Sequence, residues 1–213
     1  MARLTGLAAK IQKDQLRAAL TQKGYAFFEK DDYNLNIIGV RNKSGDASKF
    51  DDTINVLYKV EGEWVCDMYP MTTEPGTSIL KWPIKEVRHK GTAILQPDQY
   101  RSTYVIGWHG NKSRGHMALI QRGGTVKVWR DNNRDAEPDY HGPEEDGWFG
   151  INIHKHRGSD ARINTGASSA GCQVFQSSKD FHEFMETCDL ARDRWGNSFT
   201  YTLIDEAEIN SVC

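Results

Sequence analysis

Apolar positions along the chain recur in two periods, and each period predicts an element. Over residues 7–22, Leu7, Ile11, Leu16 and Leu20 read as roughly one side of a helix, with Gly24 as its stop. From there to about residue 175 the punctuation is that of β structure. Ile54, Val56, Tyr58 and Val60 alternate with Asn55 and Lys59, which predicts a strand with one buried face. Residues 64–69 pair with it across Glu61-Gly62-Glu63. Residues 117–122 and 125–130 flank Gly123-Gly124, a two-residue hairpin signal. Residues 104–108 and 150–154 read as further short strands. Ser177 with Asp180 three residues on forms a capping box, and Phe181, Phe184, Met185 and Cys188 follow at helical spacing. That helix ends before Gly196, and residues 199–204 form a last strand.

The expected fold class is α+β, mostly β: antiparallel sheets or a sandwich flanked by N- and C-terminal helices. No internal repeat, low-complexity tract or linker interrupts the 213 residues, so one domain over 1–213 is expected, with residues 1–24 as its N-terminal helix. Lys and Arg number 27 against 29 Asp and Glu, a net charge of −2. Such a balance excludes nucleic acid as the main partner. No apolar run reaches the roughly 18 residues of a membrane span. Lys10, Lys13 and Asp14 break the stretch where a secretory signal needs apolar residues, so synthesis in the cytoplasm is expected. The cysteines Cys66, Cys172, Cys188 and Cys213 form no CxxC pair. Neither a cofactor nor a metal is expected, and the protein is read as a monomer.

Candidate chemistry concentrates in residues 150–175. His154 ends a short strand, 14 residues follow, and then comes Ser169-Ala170-Gly171-Cys172. A cysteine nucleophile needs a base, for which His is the usual partner, and backbone N–H donors for the developing oxyanion. The small residues ahead of Cys172 leave its N–H and that of Gly171 free to face a carbonyl oxygen. A buried structural thiol fits the same spacing equally well. Asn152, His154 and His156 share one strand face, with Ile151 and Ile153 on the other. His156 lies between Lys155 and Arg157, a more solvated setting, which favours His154 as the base.

The stretch resembles the catalytic motif of the L,D-transpeptidase (YkuD-like) family, which is a His, 14 to 17 residues, then Ser or Thr, His, Gly and Cys. His154, Ser169, Gly171 and Cys172 fit it. Thr72-Thr73-Glu74-Pro75-Gly76 is similar to the family's Thr-Pro-x-Gly turn. The resemblance implies a β-rich catalytic domain over about residues 50–205, with Cys172 as thiolate nucleophile and His154 as base. It implies catalytic roles for Gly171 and Ser169, and bacterial peptidoglycan stem peptides as substrate. Ala170 replaces the motif's second His, and Gln173-Val174 replace the residues usual after the cysteine.

The leading expectation is therefore a peptidoglycan-degrading cysteine peptidase of the kind found in phage endolysins, acting on the wall after release. The alternatives are an L,D-transpeptidase that forms or exchanges cross-links, a secretion-system effector, and a silent wall-binding or virion protein. Asn152, Ala170, Trp108 and His109 are expected to contact substrate. His109, His116 and His141 are the candidate ligands of a zinc peptidase, but no HExxH-like spacing supports them. Residues 130–135 read as a polar turn and Glu144-Glu145-Asp146 as a solvated loop.

Overall fold

The computed structural model describes residues 1–43, 46–84, 89–158 and 161–210. Cys213 lies outside them. Among the described residues, twelve strands and four helices follow in chain order: β1 (Ala2–Thr5), α1 (Gly6–Gln22), β2 (Asn36–Arg41), β3 (Asp52–Val60), β4 (Glu63–Thr72), α2 (Thr77–Lys81), β5 (Thr92–Leu95) and β6 (Asp98–His109). Then come β7 (His116–Gln121), β8 (Val126–Asp131), β9 (Glu144–Gly147), β10 (Ile153–Lys155), β11 (Gln173–Phe175), α3 (Ser178–Trp195), β12 (Phe199–Asp205) and α4 (Glu206–Asn210).

Nine strands form one sheet in the order β1-β4-β11-β10-β7-β6-β12-β2-β3, and β3 pairs back onto β4. The sheet thus closes on itself instead of stacking as two layers. Two of its pairings, β10 with β11 and β12 with β2, are parallel. The β3–β4 hairpin forms as expected, but it turns on two residues, Glu61 and Gly62, both at positive φ, with Glu63 already paired to Val60 and not part of the connection.

Alternate strand residues feed two cores. Ile37, Ile54, Val56, Tyr69, Met71, Tyr201 and Leu203 pack in the first, to which α3 adds Phe181, Phe184, Met185, Cys188 and Ala191. Ser177 caps α3 by accepting from the Asp180 N–H at 3.3 Å, as the capping box predicts. The second core lies under α1, where Ala9, Leu16, Ala19 and Leu20 meet Ile38, Leu57, Cys66 and Ile204. Burial of each such leucine is worth about 1.5–3 kcal/mol.

This second core corrects two expectations. Leu7 and Ile11 are 75% and 52% exposed, because at about 100° per residue they fall opposite Leu16, whereas Ala9, Leu16 and Leu20 align. Strand β3 is buried on both faces, since α1 covers its outer side, and Gln12 Nε2 donates to the buried Asn55 Oδ1 at 3.2 Å.

The Gly123-Gly124 hairpin does not form. Strand β7 stays in the large sheet, while β8 joins β5 and β9 in a separate three-stranded sheet. Gly123 instead packs on β6: its N–H donates to Thr103 O at 2.8 Å, and a Cβ there would lie 1.9 Å from Ser102 O. Residues 144–147 are a strand, not a free loop, because Glu145 pairs with the buried Arg130 at 2.8 Å. No helix among the described residues is long and apolar enough to cross a membrane.

Candidate active site

Cys172 occupies the turn that leads into β11, directly across from the residue that precedes β10. The parallel register Ile153↔Gln173 sets this, and Gln173 N–H donates to Asn152 O at 2.9 Å. Cys172 Sγ lies 3.4 Å from the Asn152 N–H that donates to it and 3.5 Å from Gly150 O. It is the one partly exposed cysteine among the described residues, as Cys66 and Cys188 are buried.

Gly171 makes the turn possible. Its φ is +117°, and a Cβ would lie 2.4 Å from Ala93 O. Ser169 Oγ clamps both ends, accepting from Gly171 N–H at 3.2 Å and donating to Cys172 O at 2.7 Å. The Gly171 N–H is therefore occupied, contrary to the expectation that it is free. The Cys172 N–H has no hydrogen-bond partner among the described residues, and Gln173 explains its direction. Gln173 Nε2 donates to Gly171 O at 3.4 Å and to Thr73 O at 3.3 Å, while its Oε1 accepts from Tyr201 O–H at 2.8 Å. With Gly171 O drawn toward the buried glutamine, the trans peptide turns the Cys172 N–H the opposite way.

The Thr72–Gly76 segment braces this turn. Gly76 N–H donates to Ser169 O at 3.1 Å, and a Cβ on Gly76 would lie 2.1 Å from Gly166 O. Within the segment, burial pushes the Glu74 carboxyl up to about 8, and its Oε1 makes no hydrogen bond.

On the β10 side, Asn152 and His154 share a face as expected, and both meet His109 at the end of β6. Gln121 N–H donates to Asn152 Oδ1 at 2.9 Å, which leaves Nδ2 to donate to His109 Nδ1 at 3.0 Å. The His109 proton therefore sits on Nε2. The His109 and His154 rings stack with centroids 4.1 Å apart. His154 Nδ1 lies 2.7 Å from Lys155 O, an acceptor, so Nδ1 carries the proton and Nε2 the lone pair. Burial, with His109 beside it, pulls the His154 imidazole down to about 3. Burial pushes the Cys172 thiol up to about 11 against the donated Asn152 N–H. Both groups are thus neutral at rest, and no hydrogen bond joins them among the described residues.

His156 is not solvated. It is 2% exposed against 7% for His154, its Nδ1 lies 2.9 Å from Arg157 O, and its Nε2 is buried without a partner. His116 stands across β6–β7 from His109 with ring centroids 5.4 Å apart. Among the described residues, no three His, Cys, Asp or Glu side chains are grouped to hold a metal ion, so His109, His116 and His141 form no such set.

An open cleft of about 390 Å³ is lined by Trp108, His109, Gly150 and Asn152; Cys172 and His154 are not part of its lining, and the link to the thiol runs through Asn152 N–H and Gly150 O, which contact Sγ. Ala170 is exposed on the turn before Cys172 and is not part of the cleft lining. Gln121, which the sequence reading missed, holds the cleft floor. Its Oε1 accepts from the N–H groups of Phe149, Gly150 and Ile151 at 3.2, 2.9 and 3.2 Å, and its Nε2 donates to Gly147 O at 3.0 Å. A lone glutamine in a strand carries no sequence signal of such a role.

Compared with known proteins, the chain matches no family model, no curated protein and no solved structure.

Proposed function

We propose that the protein is a cysteine peptidase acting on the peptide stems of bacterial peptidoglycan. The observation that carries the reading is Cys172 itself: a partly exposed cysteine whose Sγ contacts two residues of the cleft wall, Gly150 and Asn152, and whose own N–H is unpartnered among the described residues. The choice of stem peptides rests on the His154, Ser169, Gly171 and Cys172 motif.

The resting neutrality of both groups favours general-base attack over a stored thiolate–imidazolium pair. His154 Nε2 takes the thiol proton as Sγ bonds to the scissile carbonyl carbon. The oxyanion forms against the Cys172 N–H. The protonated His154 then gives its proton to the departing amine as the C–N bond breaks, leaving a thioester. Water, deprotonated by the same nitrogen, attacks the thioester and restores the thiol. This step requires Sγ and His154 Nε2, which share no hydrogen bond at rest, to come within hydrogen-bond distance as substrate binds.

Mass spectrometry of purified muropeptides incubated with the protein and with Cys172→Ala tests the reading. Shortened stems with the parent protein alone are expected. Unchanged muropeptides would overturn the reading, and cross-linked dimers or exchanged D-amino acids as the main product would replace it with transpeptidation.

A further inference from the structure

Two tryptophans stand exposed on either side of the cleft, Trp108 at 50% and Trp148 at 60%. Exposed indoles on a monomeric surface mark contact sites more often than chance. Neither sits on loose chain. The Trp108 Nε1–H donates to Asn111 O at 3.2 Å, and Gly115 closes against the ring so tightly that a Cβ there would lie 2.4 Å from Nε1. Trp148 lies between Gly147 and Phe149, both held by Gln121. The Trp108 ring face is therefore preorganised, and the backbone that carries Trp148 is fixed, which lowers the entropy cost of binding against them.

Arg122 completes the lining. Its backbone N–H donates to Thr103 O at 3.0 Å, but its guanidinium has no ion pair or hydrogen bond among the described residues. No carboxylate lines the cleft. Arg157 adds positive charge on the His109 side, where it acts with burial to disfavour the imidazolium. An uncompensated guanidinium between aromatic walls is complementary to a carboxylate carried beside a ring with a flat apolar face.

We infer that this cleft is a subsite for a carboxylate-bearing glycopeptide, its carboxylate on Arg122 and its saccharide ring against Trp108 and Trp148. The inference rests on the peptidoglycan reading and deepens it: the enzyme takes stems still attached to sugar and discriminates free from amidated carboxylates. Arg122 and the tryptophans bind substrate remote from the scissile bond and touch neither Cys172 nor His154.

The test is binding, measured by isothermal titration with the Cys172→Ala protein so that turnover does not intervene. Three probes are compared: a disaccharide-tripeptide muropeptide, its amidated form, and the free tripeptide. Arg122→Gln is expected to weaken the first by about tenfold and leave the amidated form unchanged. Trp148→Ala is expected to weaken both sugar-bearing probes and spare the free tripeptide. Both positions are exposed, and unchanged melting temperatures verify the fold. Equal affinity for all three probes, no measurable binding, or indifference to Arg122→Gln would overturn the inference. Discriminating binding by a protein that fails to cleave any stem would instead retire the peptidase reading and leave the subsite standing.

Discussion

Asn152 joins Cys172 to His109. Its backbone N–H donates to Sγ at 3.4 Å while its side-chain amide donates to the His109 ring at 3.0 Å. A single residue thus positions the thiol and fixes the tautomer of the neighbouring imidazole. The amide cannot flip, because its oxygen is already held by Gln121 N–H at 2.9 Å.

Alkylation reports the protonation state of Cys172. With the thiol pushed up to about 11, the thiolate fraction grows with each pH step across the neutral range. The iodoacetamide rate should rise about tenfold per pH unit between roughly pH 7 and 10. A plateau already reached below pH 7 would mean a stored ion pair and contradict the neutral resting site.

His154 and His156 separate by activity, not by burial. His154→Gln should lower kcat by about a hundredfold or more, since general-base catalysis is worth about that much. His156→Gln should lower stability with kcat per folded molecule nearly unchanged. Kinetics normalised to folded fraction by circular dichroism decide, and a larger kcat loss at His156 would reverse the assignment.

Gln121→Met keeps the volume and removes the acceptor shared by three backbone N–H groups. The cost should be about 2–4 kcal/mol in urea unfolding. Amide exchange at Phe149, Gly150 and Ile151 should accelerate more than in α3. Uniform exchange rates with unchanged stability would show that the cleft floor does not depend on this side chain.

Gly171→Ala should destabilise by about 2 kcal/mol or more, since it combines positive φ with a Cβ driven onto Ala93 O. Gly150→Ala, at a φ of +68° that other residues tolerate and with no atom within 4 Å, should cost less on both counts. Denaturant midpoints compare the two.

Glu74 gives a pH signature of the fold. Its folded value of about 8 lies above the roughly 4.3 of an unfolded carboxyl, so the folded state binds the extra proton. Stability from this group falls as pH rises from about 4.5 to 8. Glu74→Gln removes that dependence. The melting-temperature difference, variant minus parent, should therefore grow from pH 5 to pH 8. A difference constant with pH would place the carboxylate in the ionised form throughout.

Elements with strong local signals were legible in the sequence: α3 through Ser177 and its apolar spacing, the β3–β4 turn through Glu61-Gly62, and β12. The shared face of Asn152 and His154 followed from strand alternation. The helix face of α1 was misread because Leu7 and Ile11 are apolar yet lie opposite Leu16. Gly123-Gly124 looked like a hairpin because local turn chemistry says nothing of the contact with Ser102 that sends β8 into another sheet. The burial of His156 and the clamps made by Gln121 and Gln173 arise from residues distant in sequence, and no local pattern encodes them.

Strand β12 lies between β2, to which it runs parallel, and β6, to which it runs antiparallel. A nascent chain grown only to residue 198 has both of those edges bare. The barrel cannot seal until this segment clears the ribosome, so β2 and β6 remain open templates for intermolecular pairing during synthesis. Closure then joins segments more than 150 residues apart, such as Tyr201 with Ile37, and this long reach makes the final step slow. The protein is thus most exposed to misassembly before β12 is synthesised, and holdase chaperones or lowered expression temperature should raise its soluble yield.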